Sequence, residues 1–62
     1  MTAVTKILIV DDNEANRNVL HDFVSALGYM PILAENGFMA LDYIQTQLPD
    51  LILLDILMPN MD

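Results

Sequence analysis

An α/β fold is predicted for this chain: a β-α-β-α-β half of a doubly wound parallel sheet, strand order 2-1-3, with helices on both faces. Three observations predict it. Compact apolar runs at 6–10, 30–34 and 51–55 read as strands. Segments with apolar residues at helical spacing separate them. Helix-start signals, Asp-Asp-Asn at 11–13 and Asn-Gly at 36–37, open both separating segments.

The elements follow in order. "KILIV" is β-branched and apolar without polar alternation, the mark of a strand covered on both faces. After Asp11-Asp12-Asn13, a first helix is predicted over 14–27. Val19, Leu20, Phe23, Val24 and Leu27 form its apolar stripe. Gly28 supplies the C-terminal cap. "MPILA" is a weaker strand, because Pro31 lacks an N–H and prefers an edge or a strand start. A second helix opens at Asn36-Gly37 and is expected to turn Phe38, Ala40, Leu41, Ile44 and Leu48 inward until Pro49 stops it. "LILLD" at 51–55 is the third strand, again a continuous apolar run.

Alternating strands and helices mean a parallel sheet with right-handed crossovers. The two fully apolar strands need neighbours and cover. Both conditions are met if the third strand pairs on the far side of the first. The Pro-containing strand then takes an edge, and the ligand position falls between strands 1 and 3.

The chain has 62 residues, enough for one small domain. It contains no cysteine, so no disulfide supports it, which is compatible with a reducing cytoplasm. No apolar run approaches the ~20 residues of a membrane span. "MTAVTK" lacks the pattern of a signal peptide. Nine acids against Lys6 and Arg17 give a formal net charge of −7. That argues against nucleic-acid binding and suits a metal cation or a basic partner, or simply solubility.

"ILIVD" and "LILLD" are alike: four apolar residues ending in Asp. Parallel neighbours ~4.8 Å apart deliver both acids to one sheet end. Asp11, Asp12 and Asp55 should therefore crowd one crevice. Two such charges ~5 Å apart repel by about 3 kcal/mol at an effective dielectric of ~20. A proton, a cation or a lysine must offset this. Oxygen ligands with open positions suit magnesium. A carboxylate beside magnesium can be a nucleophile toward phosphoryl groups. Asp12 or Asn13 could alternatively serve only to cap the first helix.

"KILIVDDNEANRNVL", "AENGFMAL" and "PDLILLDILMPNMD" together resemble the N-terminal half of a response-regulator receiver domain of two-component signalling. The resemblance covers nearly the whole chain. It implies that Asp55 accepts a phosphoryl group from the phosphohistidine of a histidine kinase or histidine phosphotransfer protein. It implies magnesium held by Asp12, Asp55 and the backbone carbonyl of Leu57, with Asp11 acting through water. Met58 and Pro59 would shape the loop after the acceptor. The location it implies is cytoplasmic, with no membrane or nucleic-acid contact by this segment.

A full receiver adds a Ser/Thr, a Lys and an aromatic switch residue on its fourth and fifth strands. None of these is in this chain, so residues 1–62 are expected to be a partial receiver domain that does not complete switching. Lys6 starts the first strand, at the wrong sheet end, and Thr46 lies late in the second helix. The third strand is expected to expose one apolar edge, open to homodimerisation or segment swapping. His21 and Arg17 are expected on solvated helix faces, Arg17 with a possible partner contact. Two other functions compete. One is an inert or self-associating structural fragment. The other is an aspartyl-phosphate phosphatase or phosphotransferase, which would want an Asp where Leu57 stands. A dinucleotide site is excluded by the lack of a G-x-G-x-x-G turn after the first strand.

Overall fold

The structure, a computed structural model, describes residues 4–54. The elements run β1 (Lys6–Val10), α1 (Glu14–Ala26), β2 (Met30–Ala34), α2 (Gly37–Gln47) and β3 (Leu51–Leu54). The three strands form one parallel sheet in the order β2-β1-β3. Lys6↔Met30 through Val10↔Ala34 set one register, and Ile7↔Leu51 through Val10↔Leu54 the other. Pro31 sits in the edge strand β2, opposite Ile7, where a missing N–H can face away from the ladder.

The central strand sends alternate side chains to opposite faces. Ile7 and Ile9 join Val24 of α1, with Leu20, Leu33 and Leu53 packed around them. Leu8 and Val10 join Ala34 and Ala40 of α2, with Ile32, Met39, Tyr43 and Ile44 alongside. Leu8 and Ile9 are fully buried, each on its own face. The helices therefore cover opposite faces, as the unbroken apolar run of β1 requires.

Both helices begin on an asparagine cap. Asn13 Oδ1 accepts the Asn16 N–H at 3.0 Å, and Asn36 Oδ1 accepts the Met39 N–H at 2.9 Å. α1 ends one residue before the predicted Leu27, which is its C-cap, and Gly28 follows with φ 90°. α2 ends at Gln47. Leu48, which precedes Pro49, turns left-handed at φ 51°.

The apolar stripes are wider than the surfaces they cover. Of the α1 stripe, Val24 is buried and Leu20 half-buried, but Val19, Phe23 and Leu27 are exposed. Phe38 and Leu41 of α2, and Leu48 just beyond it, are exposed as well, while Ala40 and Ile44 turn inward. The third strand, expected to be covered on both faces, is mostly open: Leu51, Ile52 and Leu54 are exposed and Leu53 half-buried. The reason is geometric. Among the described residues only β1 is flanked on both sides, and β3 stands at an edge. An open apolar groove between α2 and β3 is lined by Val10, Ala40, Leu41, Ile44, Ile52 and Leu54.

The end of the sheet where β1 begins is clipped by Lys6 and Asp50. The Lys6 N–H donates to Asp50 Oδ2, and the Asp50 N–H donates to the Lys6 carbonyl, both at 2.8 Å. Lys6 Nζ donates to the Gln47 carbonyl at 3.1 Å, satisfying a carbonyl at the C-terminus of α2. Lys6 is thus occupied at the end opposite Asp11, as expected. Among the described residues no helix is long and apolar enough to cross a membrane.

Candidate functional site: the acidic end of the sheet

The β1–α1 connection carries the chemistry. β1 ends at Val10, and Asp11 begins a tight turn into the helix. Asp11 is only 5% exposed, the one buried charged residue among those described. Its N–H donates to the Ala34 carbonyl at 3.1 Å, extending the contact with β2 by one step. Its Oδ1 accepts the Asn13 N–H at 2.9 Å, closing an Asx turn that sets Asn13 up as the helix cap. Its backbone carbonyl accepts from Arg17 Nη1 at 2.7 Å. Asp12, between these anchored neighbours, is exposed.

The two competing readings of the acidic pair are thereby separated. Capping is performed by Asn13, so neither aspartate is consumed by it. Burying a carboxylate is costly unless something partners it. Among the described residues the only ion pair is His21–Asp22, at 3.1 Å, so no cationic side chain there pairs with the Asp11 carboxylate; Arg17 meets its backbone carbonyl instead. It keeps one carboxylate oxygen beyond the Asx bond. With the exposed carboxylate of Asp12, this is an all-oxygen donor set next to a helix N-terminus, and the residues present fit a hard divalent cation such as magnesium. Among the described residues no group of three acidic or histidine side chains stands ready to hold a metal. Asp55, Leu57, Met58 and Pro59 lie outside the described residues.

What the described backbone does supply is the approach to Asp55. The last described pair of the β1–β3 ladder is Val10↔Leu54, and Asp11 and Asp55 follow these two residues in the sequence. Thr46 is remote from this end, its hydroxyl donating to the Asp42 carbonyl at 3.0 Å within α2. His21, half-buried, bonds its neighbour Asp22 through Nδ1 on α1. Arg17 differs from the solvated role expected for it: it is half-buried and bonded to the loop that carries the acids. Its place four residues after the cap was readable. That its side chain would reach back across the cap to a carbonyl was not, since spacing does not choose among acceptors.

Comparison with known proteins agrees with this architecture. The sequence model of the response regulator receiver domain matches residues 7–62. The chain is 46% identical over 57 residues to sporulation initiation phosphotransferase F of Bacillus subtilis, covering 92% of this chain and 46% of that protein. It is 44% identical over 54 residues to the polar-differentiation response regulator DivK of Brucella anthropi, covering 87% and 44%. Over 57 residues it is 44% identical to the response regulator MprA of a Mycobacterium species, covering 92% and 25%. The chain thus spans less than half the length of these relatives. With a parallel 2-1-3 sheet, an acidic pair where its first strand ends, and a family match over nearly all its length, the chain belongs to the response regulator receiver domain family.

Proposed function

We propose that Asp55 is the phosphoacceptor of this chain, and that Asp12, Asp55 and the Leu57 carbonyl hold magnesium beside it, with Asp11 acting through water. The observation that carries this reading is the β1–β3 register, whose last described pair, Val10↔Leu54, is followed in the sequence by an aspartate after each member. The donor is a phosphohistidine of a histidine kinase or phosphotransfer protein. A carboxylate oxygen of Asp55 attacks phosphorus, the P–N bond breaks, and its electron pair returns to the imidazole, which takes up a proton. Bound magnesium supplies charge neutralisation for the phosphoryl oxygens. Asp11, buried and anchored at three atoms, fixes the floor of the crevice, and exposed Asp12 is free to meet the cation.

The role is that of a signalling module that transfers a phosphoryl group to itself. Residues 1–62 supply the acidic side of such a site. The hydroxyl and lysine that the family uses to read and stabilise the phosphate are not among them. Incubation with a small phosphoramidate donor and magnesium tests the reading. Uptake by the native chain and none by Asp55→Asn is expected; equal uptake by both overturns it.

A second reading, self-association, rests on β3. This edge strand exposes Leu51, Ile52 and Leu54, and an apolar edge strand is a template for pairing. Light scattering that gives a dimer mass, lost on Ile52→Lys, supports it. A monomer mass for the native chain contradicts it.

A further inference from the structure

We propose that Arg17 is a positioning residue for the cation site at the end of β1. The proposal rests on the reading of Asp11 and Asp12 given above.

Among the described residues the Asp11 carbonyl belongs to neither ladder. β1 ends at Val10, and α1 begins at Glu14. A backbone carbonyl in so buried a residue needs a partner. Arg17 supplies it through Nη1 at 2.7 Å, a short charge-assisted bond. The Arg17 backbone N–H meanwhile donates to the Asn13 carbonyl at 3.0 Å, the first helical bond of α1. One residue therefore fastens both ends of the turn that presents Asp12.

The consequence is geometric. The bond to Ala34 fixes the peptide plane before Asp11, and the bond from Arg17 fixes the plane after it. The second plane sets where the Asp12 side chain leaves the backbone. The Asn13 N–H occupies Asp11 Oδ1, so the remaining oxygen of Asp11 has a defined direction. Among the described residues the guanidinium makes no ion pair with any carboxylate, so its charge leaves both acids available to a cation. Ligands held in place before the cation arrives lose little entropy on binding it.

This role has the opposite sign to the simplest electrostatic one. A positive charge near a dication repels it, so a purely electrostatic Arg17 would weaken magnesium binding and its removal would tighten it. A positioning Arg17 does the reverse. The test is a magnesium titration of the native protein and of Arg17→Met and Arg17→Lys. It is followed by the amide NMR shifts of Asp12 and Asn13 and by hydrogen exchange of the Asn13 amide without metal. Arg17→Met is expected to weaken binding about tenfold, as loss of outer-shell partners does, and to speed exchange at Asn13. Arg17→Lys, which keeps a donor, should recover part of both. Magnesium binding by Arg17→Met at native or greater affinity overturns the proposal. If that variant does not fold, Arg17→Gln decides with the same signs. A native protein whose Asp12 and Asn13 amides ignore magnesium overturns the site reading as well. A native response with an unchanged variant overturns the role of Arg17 alone.

Discussion

Val10 and Leu54 are the last described facing pair of the parallel β1–β3 ladder, and an aspartate follows each of them in the sequence. Parallel pairing makes this relation informative. Neighbouring parallel strands end on the same side, so two strands of like sequence bring like ends together. An antiparallel pairing of the same segments would have sent the two acids to opposite ends of the sheet.

Asp11→Asn separates the structural from the electrostatic part of this residue. The amide oxygen can still accept the Asn13 N–H, and the buried charge is gone. Metal-free stability should stay level or rise slightly, while magnesium affinity falls by about tenfold or more, since a carboxylate is lost from a small oxygen set. Thermal melts with and without magnesium read both effects. A large loss of metal-free stability would contradict the assignment.

Leu8 is fully buried between the central strand and α2. Leu8→Ala should cost about 3 kcal/mol, within the ~2–5 kcal/mol typical of such truncations. Chains of this size have roughly 3–9 kcal/mol in total, at ~0.05–0.15 kcal/mol per residue. Urea denaturation should therefore show a variant that has lost about a third or more of its stability. Val19→Ala, at an exposed α1 position, should change stability by less than about 0.5 kcal/mol.

Two left-handed residues should respond with opposite sign. Gly28 at φ 90° has open space around a would-be Cβ, so Gly28→Ala meets only backbone strain, about 1–2 kcal/mol destabilising. Leu48 at φ 51° is mostly exposed, so Leu48→Gly removes strain and little packing. It should stabilise by up to about 1 kcal/mol. Paired denaturation curves check both signs.

Asn36 caps α2 through the Met39 N–H. Asn36→Ala should cost about 1 kcal/mol, and Asn36→Asp or Asn36→Ser should restore most of it. Loss of α2 protection in hydrogen exchange, with α1 unchanged, would localise the effect.

Much of this architecture was legible in the sequence because its signals are local. "KILIV" declares its double burial by lacking alternation. Asn13 and Asn36 mark both helix starts, and Gly28 one helix end. The 2-1-3 order followed because β1 needs a neighbour on each side. Burial of the outer elements was not legible. Val19, Phe23 and Leu27 share one apolar stripe with Val24, yet only Val24 meets the sheet, because periodicity reports which face is apolar and not how wide its partner is. The same limit applies to Leu51, Ile52 and Leu54 on the edge strand. At the site, the meeting of Asp11 with the β1–β3 end was readable from two like motifs. The Arg17 bond to the Asp11 carbonyl was not, since side-chain reach to a backbone acceptor leaves no trace in residue type.

The central claim is that Asp55 carries the phosphoryl group. Treating the protein with acetyl phosphate and magnesium, trapping the acyl phosphate by borohydride reduction and mapping the product by peptide mass spectrometry tests it most directly. Reduction confined to residue 55, dependent on magnesium and absent from Asp55→Asn, is the predicted result. Label at Asp11 or Asp12, or no label in a folded native protein, would contradict it.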